Sequence, residues 1–305
     1  MIAWKTTSHP KWKQLIFQQR VARAQLGYFD HFGFRKGRFK FPRPTLIKGY
    51  QSQIAALRNK YLDQPCTVIC NGPSLESVPP ETIKRTITIG CNGVYKKFPD
   101  WGFSTNFLVF EDVEQFEIRA PDLLAVNGPI KMAAIYNAYA LSNTRDWIFF
   151  NAPRCANNDY YWSSEDIYPQ FSKDFASVVH LGSTVTYIML QLAFHLGCNP
   201  VYIVGLDHNY GKLPSLFPPG KIKITEENFD LVKHCHFDPS YYKIGDVIGV
   251  PWVKQQELAY DLALRSFTES GRSLLNVSDT TKLKVIPRIG VAKWSDHVKA
   301  NVKCS

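Results

Sequence analysis

Short apolar runs that stop abruptly in small or polar residues recur along this chain. The first is Thr67 to Leu75, read as TVICNGPSL, where Val68, Ile69 and Cys70 meet Asn71, Gly72, Pro73 and Ser74. Such a run predicts a buried strand feeding a tight loop. Gly72 has no side chain to hold a ligand off the backbone. Pro73 fixes the turn, and Asn71 and Ser74 offer hydrogen bonds to a phosphate or a ribose. Taken alone, the stretch reads equally well as an ordinary strand-to-turn corner.

The same pattern predicts strands at Thr86 to Cys91, ending in Asn92 and Gly93, and at Asn106 to Phe110, ending in Glu111 and Asp112. Further strands are expected at Pro129 to Ile135, Trp147 to Phe150, Val201 to Val204 and Ser273 to Val277. Helices are expected at Gln51 to Asp63, at Ser183 to Leu196 with Gly197 as its cap, and from Pro251 to about Ser270 with Gly271 as its cap. Alternation of strand and helix implies an α/β fold, Rossmann-like, with a mainly parallel sheet and helices on both faces. Ligands in such sheets bind beyond the carboxyl ends of the strands. Those ends carry Asn71, Ser74, Asn92, Glu111, Asp112, Ser183, Thr184 and the run Asp207 to Tyr210.

Lys212 to Val250 breaks the pattern: it is rich in Pro, Gly, Lys and aromatics and has no period. A stretch of that kind reads as a lid or as a disordered segment. It carries His234, His236, Tyr241 and Tyr242, residue types suited to proton transfer and phosphate contact.

Charge divides the chain. Residues 1–48 hold eleven of the 36 Lys and Arg but one of the 26 acids, Asp30, so the net charge of +10 belongs to this segment. Its aromatics, from Trp4 to Phe41, interleave with the bases, and Lys11 to Leu26 has a helical period. Basic residues with interfacial aromatics suit an anionic membrane surface. No basic stripe continues through the rest, which argues against nucleic acid. The expected organisation is a basic arm at 1–50, a nucleotide-binding domain at 51–290 with a lid at 212–250, and a polar tail at 291–305. Seven scattered cysteines predict reduced, mostly buried thiols rather than a disulfide framework. With no export signal and no membrane-spanning run, the cytoplasm is the default, with peripheral contact at the inner membrane face through the arm.

These residues resemble a known family. NGPSL, CNGVY, VFED, the block from Gly182 to Gly211 and HFDPSYY are similar to the bacterial and archaeal group called domain of unknown function 115, or MptE-like. That group is related to the bacterial sialyltransferases of glycosyltransferase family 42. The resemblance spans roughly residues 55 to 290 and implies the fold more firmly than the reaction. It implies that Asn71, Gly72, Pro73, Ser74 and Asn92 line the nucleotide, with Asp112 at a sugar- or nucleotide-contacting position. By the same matching, Gly182, Ser183 and Thr184 bind a carboxylate or phosphate, Asp207 holds the base or ribose, and His208, Asn209 and Tyr210 face the reacting centre.

One departure stands out. The sialyltransferases place a general-base histidine shortly before the last long helix, where this chain has Gly249. His236 is then the first candidate base, because HFDPSYY matches a family motif, and His208 is the second. His180 and His195 read as packing or surface residues. Tyr210, Tyr241 and Tyr242 are placed to stabilise a leaving phosphate.

The resulting expectation is an inverting glycosyltransferase. It moves a sialic-acid-like sugar from a CMP-activated donor to a glycan or lipid-linked acceptor, with no required cofactor. Two alternatives differ in class. One is an MptE-like diphosphokinase using ATP, with Mg²⁺ on Asp112, Glu111 or Asp207. The other is a non-catalytic nucleotide-binding protein of glycan assembly.

Overall fold

The computed structural model of the chain describes residues 44–141, 144–152 and 170–301. The basic arm up to residue 43, Cys155 and Cys304 lie outside the described residues.

The chain enters through helix α1 (Pro44–Ala55) and strands β1 (Cys66–Ile69), β2 (Ile87–Cys91) and β3 (Phe107–Phe110). Helix α2 (Val113–Leu123), strands β4 (Ile130–Ala134) and β5 (Trp147–Phe150), helix α3 (Val185–His195) and strand β6 (Val201–Val204) follow. Strands β7 (Gly220–Lys223) and β8 (Val247–Val250) frame the lid. Helix α4 (Val253–Glu269), strands β9 (Leu274–Val277) and β10 (Arg288–Ile289) and helix α5 (Val291–Asn301) complete it.

Eight strands form one sheet in the order β10-β9-β6-β1-β2-β3-β4-β5. Every pairing in it is parallel. The α/β, Rossmann-like expectation holds. β1, β3 and β6 are buried along their whole length, which explains why they read as continuous apolar runs. From β1 the chain moves outward to β5, then returns to lay β6 against the other side of β1. The strand order therefore reverses between β1 and β6, and the crevice beyond their carboxyl ends is the topological switch point.

Helix α3 lies under the middle of the sheet, packed on β1, β2 and β3. From Thr186 to His195 every residue is buried, so it is apolar all round rather than amphipathic. Thr184 caps it, accepting the Thr186 N–H at 3.3 Å, and Gly197 leaves it in the left-handed region with φ +85°.

Two local expectations are corrected, and the lid takes a definite form. The helix predicted at Gln51 to Asp63 runs instead from Pro44 to Ala55. Residues 56–63 form turns, because the backbone N–H groups of Asn59, Tyr61 and Asp63 bond to the carbonyls of His195, Leu196 and Gly197. Those are end carbonyls of α3 that the helix itself leaves unpaired. The lid is ordered: β7 and β8 pair antiparallel over a small core of Leu213, Ile224, Val232, Ile248 and Val250. Gly249, the position without a base, lies within β8. The stretch expected as a polar tail contains α5, whose Trp294 is fully buried.

Cys66, Cys70, Cys91 and Cys198 are buried free thiols and Cys235 is a half-buried one. Among the described residues no helix is long and apolar enough to cross a membrane.

Candidate functional site at the carboxyl ends of the strands

The loops after β1 and β6 are bonded to each other. The Gly72 N–H donates to the Gly205 carbonyl at 2.9 Å, and the Ser74 N–H donates to Asp207 Oδ2 at 2.9 Å. A Cβ on Gly72 would lie 2.5 Å from Asp207 Oδ2 and 2.5 Å from the Gly205 oxygen. The close approach that makes glycine necessary here is made by the neighbouring loop of the chain itself. Pro73 opens the short 3-10 turn that presents Ser74.

Several polar atoms at these strand ends are buried and unpartnered: Asn71 Oδ1, Ser74 Oγ, Asn92 Oδ1 and Asp207 Oδ1. Buried polar atoms are normally paired, so this concentration leaves open hydrogen-bonding positions at one end of the sheet. Three of the four are acceptor-only oxygens, which suit hydroxyl and amino groups. Asn71 is held in place from its other atoms. Its Nδ2 donates to the Cys91 carbonyl at 3.2 Å, and its own carbonyl accepts from Phe237 N–H at 2.8 Å. Three non-glycine residues at strand ends or helix starts, Asn92, Ser183 and His208, adopt left-handed backbone with φ between 48° and 60°. Such strain clusters at ligand sites.

The β6 side continues into α4, whose polar face the sequence reading passed over. Tyr210 OH donates to Gln256 Oε1 at 2.9 Å, and Gln256 Nε2 donates to the Ser183 carbonyl at 3.2 Å. His208 stands edge-on to Tyr210 and to Tyr260, with Nε2 at 3.4 Å from Glu257 Oε1. Both ring nitrogens are buried and neither has a hydrogen-bond partner of good geometry, the Glu257 contact being an ion-pair approach to Nε2. Burial pushes the His208 imidazolium below its ordinary range, and the Glu257 carboxylate opposes that shift. Gln256 and Tyr260 lie one helical turn apart on one face of α4. That spacing, beside Glu257 at the start of an amphipathic helix, was the available signal.

On the β2 side the lid closes the crevice. The imidazole of His236 stacks on Tyr241 at 3.8 Å between centroids and 11° between planes, with Tyr242 edge-on at 4.9 Å. The Arg119 guanidinium of α2 covers a face of Tyr241 at 4.2 Å. Burial, then the Arg119 charge, pushes the His236 pKa down to about 3. A histidine that weakly basic is poorly matched to taking a proton near neutral pH, which counts against its ranking as first candidate base. Burial also raises Tyr210 and Tyr242, and pushes Tyr241 up to about 12, so all three phenols stay protonated as donors. Lys96 Nζ pairs with Asp238 Oδ2 at 2.5 Å and anchors the lid to the β2 loop.

Other expected residues are placed differently. Asp112 caps α2, accepting the Gln115 N–H at 2.8 Å, so it serves the helix first. Asn209 is exposed and accepts from Gly211 N–H at 3.3 Å. Gly182, with φ +57°, has no room for a Cβ beside Tyr187. His195 is buried with Nε2 at 2.9 Å from the Ile54 carbonyl, a packing role as expected. His180 is half-buried, and His234 is exposed in the lid. Asn137, after β4, was missed; its Nδ2 donates to the Glu111 carbonyl and its buried Oδ1 is unpartnered.

Among the described residues no three His, Cys, Asp or Glu side chains come together as a metal site. The acids named for magnesium do not form a cage by themselves. Asp207 gives one oxygen to Ser74, and Asp112 gives one to its helix.

A profile for the family described as 6-hydroxymethylpterin diphosphokinase MptE-like matches residues 45–212. A search of curated proteins finds no match. Among solved structures the chain is similar to the MAf glycosyltransferase from Magnetospirillum magneticum AMB-1, at 13% identity and TM-score 0.47, over 97% of this chain and 45% of that one. The chain thus spans less than half of that protein. It is also similar to the sialyltransferase CstII from Campylobacter jejuni in complex with cytidine-5'-monophosphate, at 13% identity and TM-score 0.41, over 75% of this chain and 86% of that one.

Proposed function

We propose that this chain, which belongs to the MptE-like family, is a glycosyltransferase that uses a CMP-activated sugar. The observation that carries the reading is the pairing of two neighbours at the switch point: Asp207 with a buried free oxygen, and His208 supported by Glu257. The first suits a nucleoside hydroxyl or amino group; the second suits a proton acceptor. The donor class comes from the relation of the MptE-like group, which NGPSL and the Gly182 to Gly211 block resemble, to the family 42 sialyltransferases.

In this reading Asn71, Ser74, Asn92 and Asp207 hold the nucleoside. The acceptor hydroxyl oxygen attacks the anomeric carbon as the bond from that carbon to the phosphate oxygen breaks. The electron pair leaves with CMP, and the hydroxyl proton passes to Nδ1 of His208. Glu257, facing Nε2, keeps that ring's other nitrogen protonated. His236 and Tyr242 donate hydrogen bonds toward the departing phosphate, Tyr210 holds Gln256 beside them through its own hydroxyl hydrogen, and the lid excludes water. Inversion follows from a single displacement. No metal is needed for a monophosphate leaving group in this scheme. The acceptor is a glycan or glycolipid, and the arm at 1–50 brings the enzyme to an anionic membrane surface.

The family description itself favours a second reading, transfer of a diphosphate from ATP. There a magnesium ion would rest on the nucleotide phosphates with Asp207 as its protein ligand. A thermal-shift panel of CMP, CDP, ATP and GTP, each with and without Mg²⁺, separates the two. Stabilisation by CMP without metal supports sugar transfer; stabilisation by ATP with Mg²⁺ alone replaces it with the second reading.

A further inference from the structure

Arg119 plays no part in the scheme above, yet it is a deeply buried cation. It is 3% exposed on helix α2. It forms no ion pair among the described residues: Nη2 donates to Gln115 Oε1 at 3.0 Å one turn earlier, and Nε is buried without a partner. A buried charge without a carboxylate is costly unless its surroundings compensate. Here the compensation comes from two tyrosines, Tyr95 and Tyr241, whose hydroxyl oxygens bond the guanidinium, and from the ring of the second. The guanidinium carbon lies 4.2 Å from the centroid of Tyr241, and Tyr241 also stacks on His236 at 3.8 Å. Tyr241 itself fits only because residue 93 is glycine, where a Cβ would fall 2.6 Å from its ring.

Three elements therefore meet at one lid tyrosine: helix α2 through Arg119, the β2 loop through Gly93, and the lid's own His236. The lid backbone is tied down beside this stack, where Phe237 N–H donates to the carbonyl of Asn71. We propose that Arg119 is a positioning residue: by stacking on Tyr241 it fixes the His236 ring over the nucleotide corner and holds the lid closed on Asn71. The proposal deepens the reading of the crevice as a donor site and rests on it for the purpose of the clamp. Its physical content does not require a nucleotide. A guanidinium suits this task because it is planar and stacks on aromatic faces, which an ammonium does not.

The test uses the full chain without nucleotide. Arg119→Met keeps the volume and removes the planar charge. The His236 ring protons of the wild type carry the upfield ring-current shift of a stacked imidazole. In Arg119→Met that shift collapses and the Phe237 amide exchanges at least about tenfold faster, while amides of β1 and β6 are unchanged. Arg119→Lys keeps the charge without the plane and behaves like Arg119→Met. Full rescue by lysine, or an unchanged Phe237 exchange rate in Arg119→Met, overturns the proposal. Should Arg119→Met fail to fold, Tyr241→Leu breaks the same stack from the lid side; it must release Phe237 likewise, and unchanged exchange there overturns the clamp. Failure of wild-type protein to bind CMP overturns the sugar-transfer reading and leaves these outcomes intact.

Discussion

Gly72 and Asp207 compete for one place. The hydrogen of Gly72 is all that fits where Asp207 Oδ2 reaches across to take the Ser74 N–H. The contact welds the loop after β1 to the loop after β6 and leaves the second carboxylate oxygen, Oδ1, buried and unpartnered. A methyl group at 72 must push the carboxylate away. Gly72→Ala is expected to lose about 1–3 kcal/mol of stability in urea unfolding and to weaken nucleotide binding in parallel. Unchanged stability would show that the two loops move apart freely.

His208→Gln should abolish sugar transfer, with a loss of at least about a hundredfold in kcat, and leave CMP binding within a few-fold of wild type. Glu257→Gln tests the support. Removing the carboxylate lets burial act alone, so the His208 pKa falls further. The acid limb of the pH–rate profile should then move to lower pH while the plateau drops. An acid limb that stays in place would remove Glu257 from this role.

His236 gives a pH signature in stability. Its pKa is near 6.5 when unfolded and about 3 when folded. Between those values the unfolded chain binds a proton that the native site does not, so stability falls as pH drops from about 6.5 toward about 3. His236→Gln should flatten the stability–pH slope in that window by up to about 1.4 kcal/mol per pH unit. Chemical unfolding of both proteins across the window measures it, and parallel slopes would show that His236 titrates normally.

Trp294 carries a prediction about the last helix. It is fully buried against Tyr202 of β6, with ring centroids 6.1 Å apart. Trp294→Ala should cost about 3–5 kcal/mol, read from calorimetric or urea unfolding. A loss below about 1 kcal/mol, the scale of a surface change, would return 291–301 to the status of a tail.

The sheet was legible because its strands are buried on both faces and so appear as uninterrupted apolar runs: IFF at 148–150 and VYIV at 201–204 need no partner to be read. The polar corner at the strand ends was legible for a related reason, since it follows those runs directly in the sequence. The lid strands were not. β7 is GKIK, exposed for most of its length, and β8 contains a glycine, so neither shows alternation. Arg119, Asn137 and Glu257 were hidden because each lies within a helix or helical turn. There its spacing serves the local fold as well as it serves a site, and only the approach of Tyr241, of the Glu111 carbonyl and of His208 across long sequence distances reveals it. Asp112 shows a role the sequence reading did not assign it: a carboxylate one residue before a helix start caps that helix.

The central claim is that the crevice between β1 and β6 holds a cytidine nucleotide through Asp207 without a metal. Calorimetric titration of CMP into the full chain, with a chelator present, tests it most directly. One saturable site is expected, weakened at least tenfold, about 1.4 kcal/mol, in Asp207→Ala. Absence of CMP binding in the chelator, with ATP binding restored by Mg²⁺, would contradict it.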